Sequence, residues 1–396
     1  RSPRAADARR ATRARARASS VASTSSPPSL ATPMPTTARA EAPSRCEVTL
    51  GRPDRPQCST SMRATTTTTT TTTGGRARGR AATSRSDGTR GRRREGGARV
   101  VARAKEASGF EGWLEDALGS SVVNRAARGG SQWAAFESFN LKDGRRAFVK
   151  TSAKDPSMFA GEAAGLRALR AAGAFVVPEV YGTGVPPEGE RSNSFIAMEY
   201  LNFGARGDQG EFGDALATMH LAAPSHKEAS AGKFGFERNN TIGETHQPNE
   251  WTDSWLEFWR DKRLMHMIRL ARDPTLSQLA EKVVDKRLSD MFSSCGEIKP
   301  SLLHGDLWSG NIGTVGKKPS VFDPAVYYGH HEADFGMSWC AGFTPAFYEA
   351  YHAKIPKAPG FEERAKLYRL YHYLNHYVMF GGGYYRECVN ILKELA

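Results

Sequence analysis

The pattern of apolar and polar positions changes character twice along the 396 residues. Over roughly the first hundred positions there is almost no apolar periodicity. Such a stretch buries too little surface to offset its ordering entropy, and disorder is expected there. From about Ala104 the pattern predicts folded structure, with Phe110, Trp113, Leu114 and Leu118 at helical spacing. Two strands follow, 133–139 and 146–151, with Asp143-Gly144 as the hairpin turn between them. After Asp155-Pro156-Ser157, residues 158–171 read as a helix whose apolar face is Met158, Phe159, Leu166 and Leu169, with Gly173 beyond its end. Runs 176–181 and 194–200 read as two more strands. From Phe212 onward helical spacing takes over, at 212–221, 251–270, 276–292, 361–380 and 384–395, interrupted by 301–324. The aromatic residues Trp251, Trp255, Phe258 and Trp259 are assigned to the core of that region.

A small β-rich lobe followed by a larger helical one is an α+β arrangement, the outline of a protein-kinase-like two-lobed fold. The boundaries expected are a tail at 1–104, a small lobe at 105–201 and a helical lobe at 202–396.

Charge sharpens that division. The chain carries 55 Lys and Arg against 42 Asp and Glu, a formal net of +13. The first hundred residues hold 21 Arg, no Lys and 6 acidic residues, which leaves 34 basic and 36 acidic residues in the rest. The folded part is therefore near neutral and offers no broad field for nucleic acid. An Arg-, Ser- and Thr-rich, acid-poor tail, with threonine throughout 65–73, has the composition of an organellar transit peptide. The expected destination is the chloroplast, with the mitochondrion or cytoplasm as alternatives. No run approaches the ~18 apolar residues of a membrane span, so no membrane partner is expected. The five cysteines, Cys46, Cys58, Cys295, Cys340 and Cys388, form no CxxC pair and indicate neither a disulfide framework nor zinc.

The chemistry concentrates in Leu302-Leu303-His304-Gly305-Asp306-Leu307-Trp308-Ser309-Gly310-Asn311. It fits a phosphotransferase catalytic loop, H-x-D with Asn five residues after the Asp. An Asp must accept the proton of the attacking hydroxyl, and an Asn on the same loop must reach Mg²⁺. That makes Asp306 the candidate base and Asn311 a metal ligand, with His304 bracing the loop. A polar turn between two strands is the competing reading. Twelve residues on, Asp323 ends the apolar run Ser320-Val321-Phe322 and is the candidate second metal ligand. Its successors are Pro324-Ala325, so a mobile segment gated by a Phe after the Asp is not indicated.

Upstream, Lys150 at a strand end and Glu162 on the next helix stand in the order required of a phosphate-binding lysine and its partner. Gly129-Gly130-Ser131 precedes the first expected strand, where a phosphate-covering loop belongs, but lacks the third glycine of G-x-G-x-x-G. No Walker-type motif occurs. Glu199-Tyr200-Leu201 is where a hinge would offer backbone groups to adenine, making Glu199 and Leu201 candidate ATP contacts. His330-His331 lacks the partner spacing of a zinc site and is assigned a satisfied structural role. Asp334 is noted as a lesser candidate for bonding the catalytic loop from behind.

Taken together, segments 301–311, 323–330, 341–360 and 371–377, supported by 233–243 and 250–260, resemble the fructosamine kinase and ketosamine-3-kinase family, relatives of aminoglycoside phosphotransferases and choline kinases. The resemblance runs from about Gly129 to Leu395, and the Trp within H-G-D-L-W-S-G-N is its most specific mark. It implies ATP- and Mg²⁺-dependent phosphorylation of the 3-hydroxyl of a ketosamine, followed by spontaneous release of the amine. Ribulosamines are favoured over fructosamines, on small molecules or on proteins. Carried over by position, Asp306 is the base, Asn311 and Asp323 hold Mg²⁺, Lys150 and Glu162 anchor ATP, and Trp308 lines the sugar pocket. His304 is also expected to face the substrate. A monomer or weak dimer is expected. The stretch Gly130-Ser131-Gln132-Trp133 lacks the cysteine that many members carry there, so their redox-sensitive dimerisation is not expected. Glu332-Ala333-Asp334-Phe335 varies the family's pattern, leaving roles there open. Two competing readings remain: a kinase for another small hydroxylated amine, and a non-catalytic nucleotide-binding protein.

Overall fold

The computed structural model of the chain describes residues 109–130, 134–188, 190–204 and 207–396. The expectations for the tail, for Ser131 and for the absent cysteine switch lie outside the described residues.

The small lobe begins with α1 (Phe110–Leu118), followed by β1 (Val122–Gly130), β2 (Ala135–Leu141), β3 (Arg146–Ser152), α2 (Ser157–Ala172), β4 (Val180–Gly184) and β5 (Ser194–Glu199). The five strands form one sheet in the order β1-β2-β3-β5-β4, with every neighbouring pair antiparallel. β1 is an addition to the expected elements. As an edge strand it is exposed along most of its length, so its sequence Val-Val-Asn-Arg-Ala-Ala-Arg-Gly-Gly shows no apolar alternation. The strand expected at 176–181 starts only at Val180, because Pro178 cannot donate to a ladder. Val176 instead bridges to Ser320 of the other lobe.

Alternation on β3 decides what each face does. Ala147 and Val149 point into a cluster with Phe110, Leu114, Phe139, Phe195 and Ala197, under α1. Phe148 and Lys150 occupy the opposite face, towards α2 and the large lobe.

The large lobe starts with α3 (Gln209–Leu221), where the Asp208 side chain accepts the Glu211 N–H at 3.0 Å and caps the helix. Then come α4 (Lys227–Ser230) and a short hairpin, β6 (Asn240–Ile242) with β7 (Thr245–Gln247). The helix expected at 251–270 begins at the Ser254 cap, as α5 (Trp255–Phe258). It passes through a π-helical turn at Trp259–Leu264 and ends as α6 (Met265–Ala271). Next follow α7 (Pro274–Lys286), capped by Asp273, and α8 (Leu288–Phe292). The interrupting stretch forms two small antiparallel ribbons. β8 (Ser301–Leu303) pairs with β11 (Tyr327–Gly329), and β9 (Ile312–Val315) with β10 (Lys318–Val321). After a 3₁₀ turn at His331–Met337 come α9 (Ser338–Ala341), α10 (Pro345–Lys354), α11 (Phe361–Phe380) and α12 (Tyr385–Leu395).

Trp255, Phe258 and Trp259 are buried as expected, and the Trp259 ring meets Tyr368 edge-on at 4.7 Å. Trp251 is only half-buried and stacks on His226. A charged pair lies deep in this lobe: Arg364 of α11 makes two bonds of 2.7 Å to the Glu332 carboxylate, and both side chains are almost fully buried. No helix among the described residues is long and apolar enough to cross a membrane.

Candidate active site

β8 ends at Leu303, and the chain must turn at once to bring the next residues to the cleft. Gly305 makes that turn, with φ +80°, and a Cβ there would run into the Ala325 carbonyl oxygen. Its neighbours are held by one carboxylate. Asp334 accepts the His304 N–H at 2.9 Å on one oxygen and the Gly305 N–H at 2.7 Å on the other. Burial raises the Asp334 pKa, but these bonds and the His220 ring outweigh it and keep the group below its usual range. His220 Nε2 lies 3.0 Å from Asp334, and its Nδ1 lies 2.8 Å from the Tyr351 hydroxyl. Asp334, a lesser candidate in the sequence, is thus the main support of the loop.

His304 is fully buried. Its Nδ1 accepts the Asp306 N–H at 3.3 Å, so Nε2 carries the proton and donates to the Phe322 carbonyl at 3.1 Å. Burial also lowers its pKa, consistent with a neutral ring. His304 therefore braces the loop from behind. Both ring nitrogens are engaged inside the protein, which does not fit the expected substrate-side placement of His304.

Asp306 is half-buried at the end of the turn. Asn311 Nδ2 donates to the Asp306 carboxylate and carbonyl, both at 3.0 Å, and to the Asp323 carbonyl at 3.2 Å. Asn311 thereby ties together the two segments that carry the acidic residues. Asp323 has a left-handed backbone, φ 58°, in the turn closed by Pro324. Such a conformation is uncommon outside glycine but is tolerated by Asp.

Across the cleft, Lys150 Nζ sits 2.8 Å from Glu162 of α2 and 2.6 Å from Asp323. Burial disfavours the ammonium, yet Asp323 and Glu162 together outweigh it and raise the Lys150 pKa. The Glu162 carboxyl is pushed up by burial and pulled back by Lys150. The structure thus joins Lys150, Glu162, Asp306, Asn311 and Asp323 in one connected group, although 173 positions separate Lys150 from Asp323.

These residues suit a magnesium ion. Asp323 supplies carboxylate oxygen, and Asn311, whose amide nitrogen has three acceptors, has its amide oxygen available: hard oxygen donors of the kind Mg²⁺ takes. His330, His331 and Glu332 also cluster, but they do not suit one. Glu332 is paired with Arg364, and Nδ1 of each histidine bonds a tyrosine, Tyr368 at 2.7 Å and Tyr351 at 3.0 Å.

The other candidate positions are placed as follows. Gly129 and Gly130 end β1 and pair with Phe136 and Ala135, so these glycines belong to the first strand and do not precede it. Glu199 ends β5, paired with Ala147, and its N–H donates to Glu179. Two residues on, Leu201 has neither backbone group bonded among the described residues. Trp308 is half-buried, with its indole lying over Gly310, where a Cβ would strike the ring. The sequence reading missed His220. Its signal was present: a histidine four residues after Leu216 on the apolar face of α3, where a buried polar group needs a partner.

Compared with known proteins, residues 113–396 match the family model described as fructosamine kinase. An Arabidopsis thaliana protein named protein-ribulosamine 3-kinase, chloroplastic, is 46% identical over 254 residues, covering 62% of this chain and 75% of that one. A Mus musculus protein named ketosamine-3-kinase is 34% identical over 313 residues, covering 72% of this chain and 100% of that one. Among solved structures, a protein from Thermobifida fusca assigned as a fructosamine-3-kinase superposes with a TM-score of 0.63 at 28% identity. That match covers 72% of this chain and 97% of the other.

Proposed function

Because the chain belongs to the fructosamine kinase family, we propose that it transfers the γ-phosphoryl group of ATP to the 3-hydroxyl of ketosamines, with ribulosamines as the preferred substrates. The observation that carries the reading is the joining of both halves of a phosphotransferase site, Lys150 with Glu162 and Asp323 on one side and Asp306 with Asn311 on the other.

Each residue's task follows from its chemistry. Lys150, held protonated and oriented by Glu162, neutralises phosphate oxygens of the nucleotide. Asp323 and Asn311 hold Mg²⁺, which when bound spreads the negative charge that builds on the phosphoryl oxygens. The Asp306 carboxylate orients the substrate hydroxyl and accepts its proton. The hydroxyl oxygen then bonds to phosphorus as the bond from phosphorus to the ADP oxygen breaks. Trp308 offers a flat apolar face to the C–H groups of the sugar, and the Leu201 backbone meets the adenine edge. Phosphorylation at O3 places a leaving group next to the C2 carbonyl carbon, so the adduct can eliminate inorganic phosphate and then lose its amine by hydrolysis, which makes the reaction a deglycation. The Arg-rich tail and the chloroplastic relative favour action in the chloroplast.

A substrate panel tests this. The full chain with Mg-ATP is expected to release ADP faster on ribulosamine-modified lysine than on fructosamine-modified lysine, and not on an aminoglycoside. Turnover on the aminoglycoside alone would move the chain to another small-amine kinase. ATP binding without turnover on any of them would leave a nucleotide-binding protein.

A further inference from the structure

His220, the partner of Asp334, also meets a tyrosine that has had no task so far. Tyr351 of α10 is fully buried, and its hydroxyl lies 2.8 Å from His220 Nδ1 and 3.0 Å from His331 Nδ1. His331 stands three residues before Asp334 in the same 3₁₀ turn. The bonds therefore leave that turn at His331, pass through α10 and α3, and re-enter it at Asp334.

Proton counting gives this chain of bonds a direction. Asp334 is ionised and can only accept, so His220 carries a proton on Nε2. The other nitrogen of that ring, Nδ1, faces a hydroxyl with one proton to give. Burial and the Asp334 and Glu332 charges keep the Tyr351 phenol protonated, its pKa well above the usual range. Burial, with His220 and Arg364 nearby, pushes the His331 pKa down to about 3, so that ring is neutral and has a single N–H. Among the described residues, only Nδ1 of His331 has a hydrogen-bond partner.

We infer that His331 and Tyr351 are positioning residues that fix the tautomer of His220. His331 Nδ1–H donates to the Tyr351 oxygen, the Tyr351 hydroxyl donates to His220 Nδ1, and His220 Nε2–H donates to Asp334. The inference rests on the kinase reading above and deepens it, since Asp334 holds the two backbone N–H groups that precede Asp306. The proton of one ring nitrogen is set by the bond that the other makes. With His331 occupying its oxygen, the hydroxyl turns its proton to His220, and the neutral ring is left with Nε2–H alone. The opposite tautomer would set a bare nitrogen against the Asp334 carboxylate, two buried acceptors with no proton between them. That repulsion would move the carboxylate off the catalytic loop.

Two measurements on the full chain test this. Histidine-selective ¹⁵N NMR of the parent protein should place the proton on Nε2 of His220 and on Nδ1 of His331. Each ring is assigned by the signal lost in His220→Gln or His331→Asn. A proton on His331 Nε2, or on both nitrogens of His220, would overturn the inference. In kinetics, Tyr351→Phe should lower kcat on ribulosamine-modified lysine roughly 2- to 30-fold and leave the Kd for Mg-ATP within about twofold. In the His220→Gln background the same change should cost less than about twofold, because an amide donates to Asp334 with no tautomer to choose. Equal loss in both backgrounds would make Tyr351 a packing residue only, contrary to the inference. His331→Leu should cost as much as Tyr351→Phe, and His331→Asn, which keeps an N–H towards the tyrosine, should recover most of the rate. Equal rates for those two substitutions would count against it as well. A parent protein that turns over no ketosamine removes the kinase reading, while its ¹⁵N spectrum still decides the direction of the bonds.

Discussion

Replacing Asp306 by Asn lowers kcat on a ketosamine by about 10²- to 10⁴-fold and leaves ATP affinity close to that of the parent protein. The substitution keeps the shape of the side chain and, with the amide oxygen turned to Asn311 Nδ2, keeps the 3.0 Å bond. What it removes is a group able to take the hydroxyl proton. The backbone of the loop stays fixed by Asp334 and His304, neither of which depends on the Asp306 carboxylate. Single-turnover rates with Mg-ATP and ribulosamine-modified lysine measure the effect. A rate near that of the parent would show that Asp306 is not the base, whatever the spacing of its motif suggests.

The second large effect is on stability. Arg364→Met leaves the Glu332 carboxylate buried without its partner, and the protein should lose about 3–5 kcal/mol. Burial already pushes the Glu332 carboxyl upward, and Arg364 is what opposes it. Arg364 also donates to the Met291 and Pro359 carbonyls, so the loss extends to the segment before α11. Thermal unfolding should show a Tm lower by roughly 6–15 °C. Adding Glu332→Leu should recover part of the loss, because two apolar side chains of similar size replace the pair without an orphaned charge. A Tm unchanged by Arg364→Met would mean that the pair contributes nothing to the folded state.

The parts of this molecule legible in its sequence are those where chemistry or periodicity acts locally. The stretch from His304 to Asn311 was readable because phosphoryl transfer needs its base and metal ligand on one short loop. α11 could be placed at 361–380 because twenty residues of helical pattern run between Gly360 and Gly381. β1 was lost because an exposed edge strand has no apolar face to alternate. The β6–β7 hairpin was lost for the opposite reason. Its buried positions include Asn240 and Gln247, polar side chains that bond each other and the Val326 and Ala325 carbonyls in the core. Polar residues buried this way imitate a loop in a sequence.

Long-range pairing was the other limit. The sequence offered Lys150 and Glu162 in the right order but could not show Lys150 reaching Asp323. It offered Asp334 by position but could not show two backbone N–H groups of the catalytic loop converging on it. His220 bonds a neighbour more than a hundred positions away, Asp334. No local pattern marks such contacts.

The central claim is transfer of phosphate to one hydroxyl of one class of substrate, and a single spectrum addresses it. The full chain would be incubated with Mg-ATP and ribulosamine-modified lysine, and the early product examined by two-dimensional ³¹P–¹H NMR. The account predicts a phosphomonoester whose phosphorus couples to the proton on C3 of the sugar, decaying as free lysine appears. A phosphate coupled to a proton on another carbon, or no phosphomonoester while ATP is bound, would contradict it.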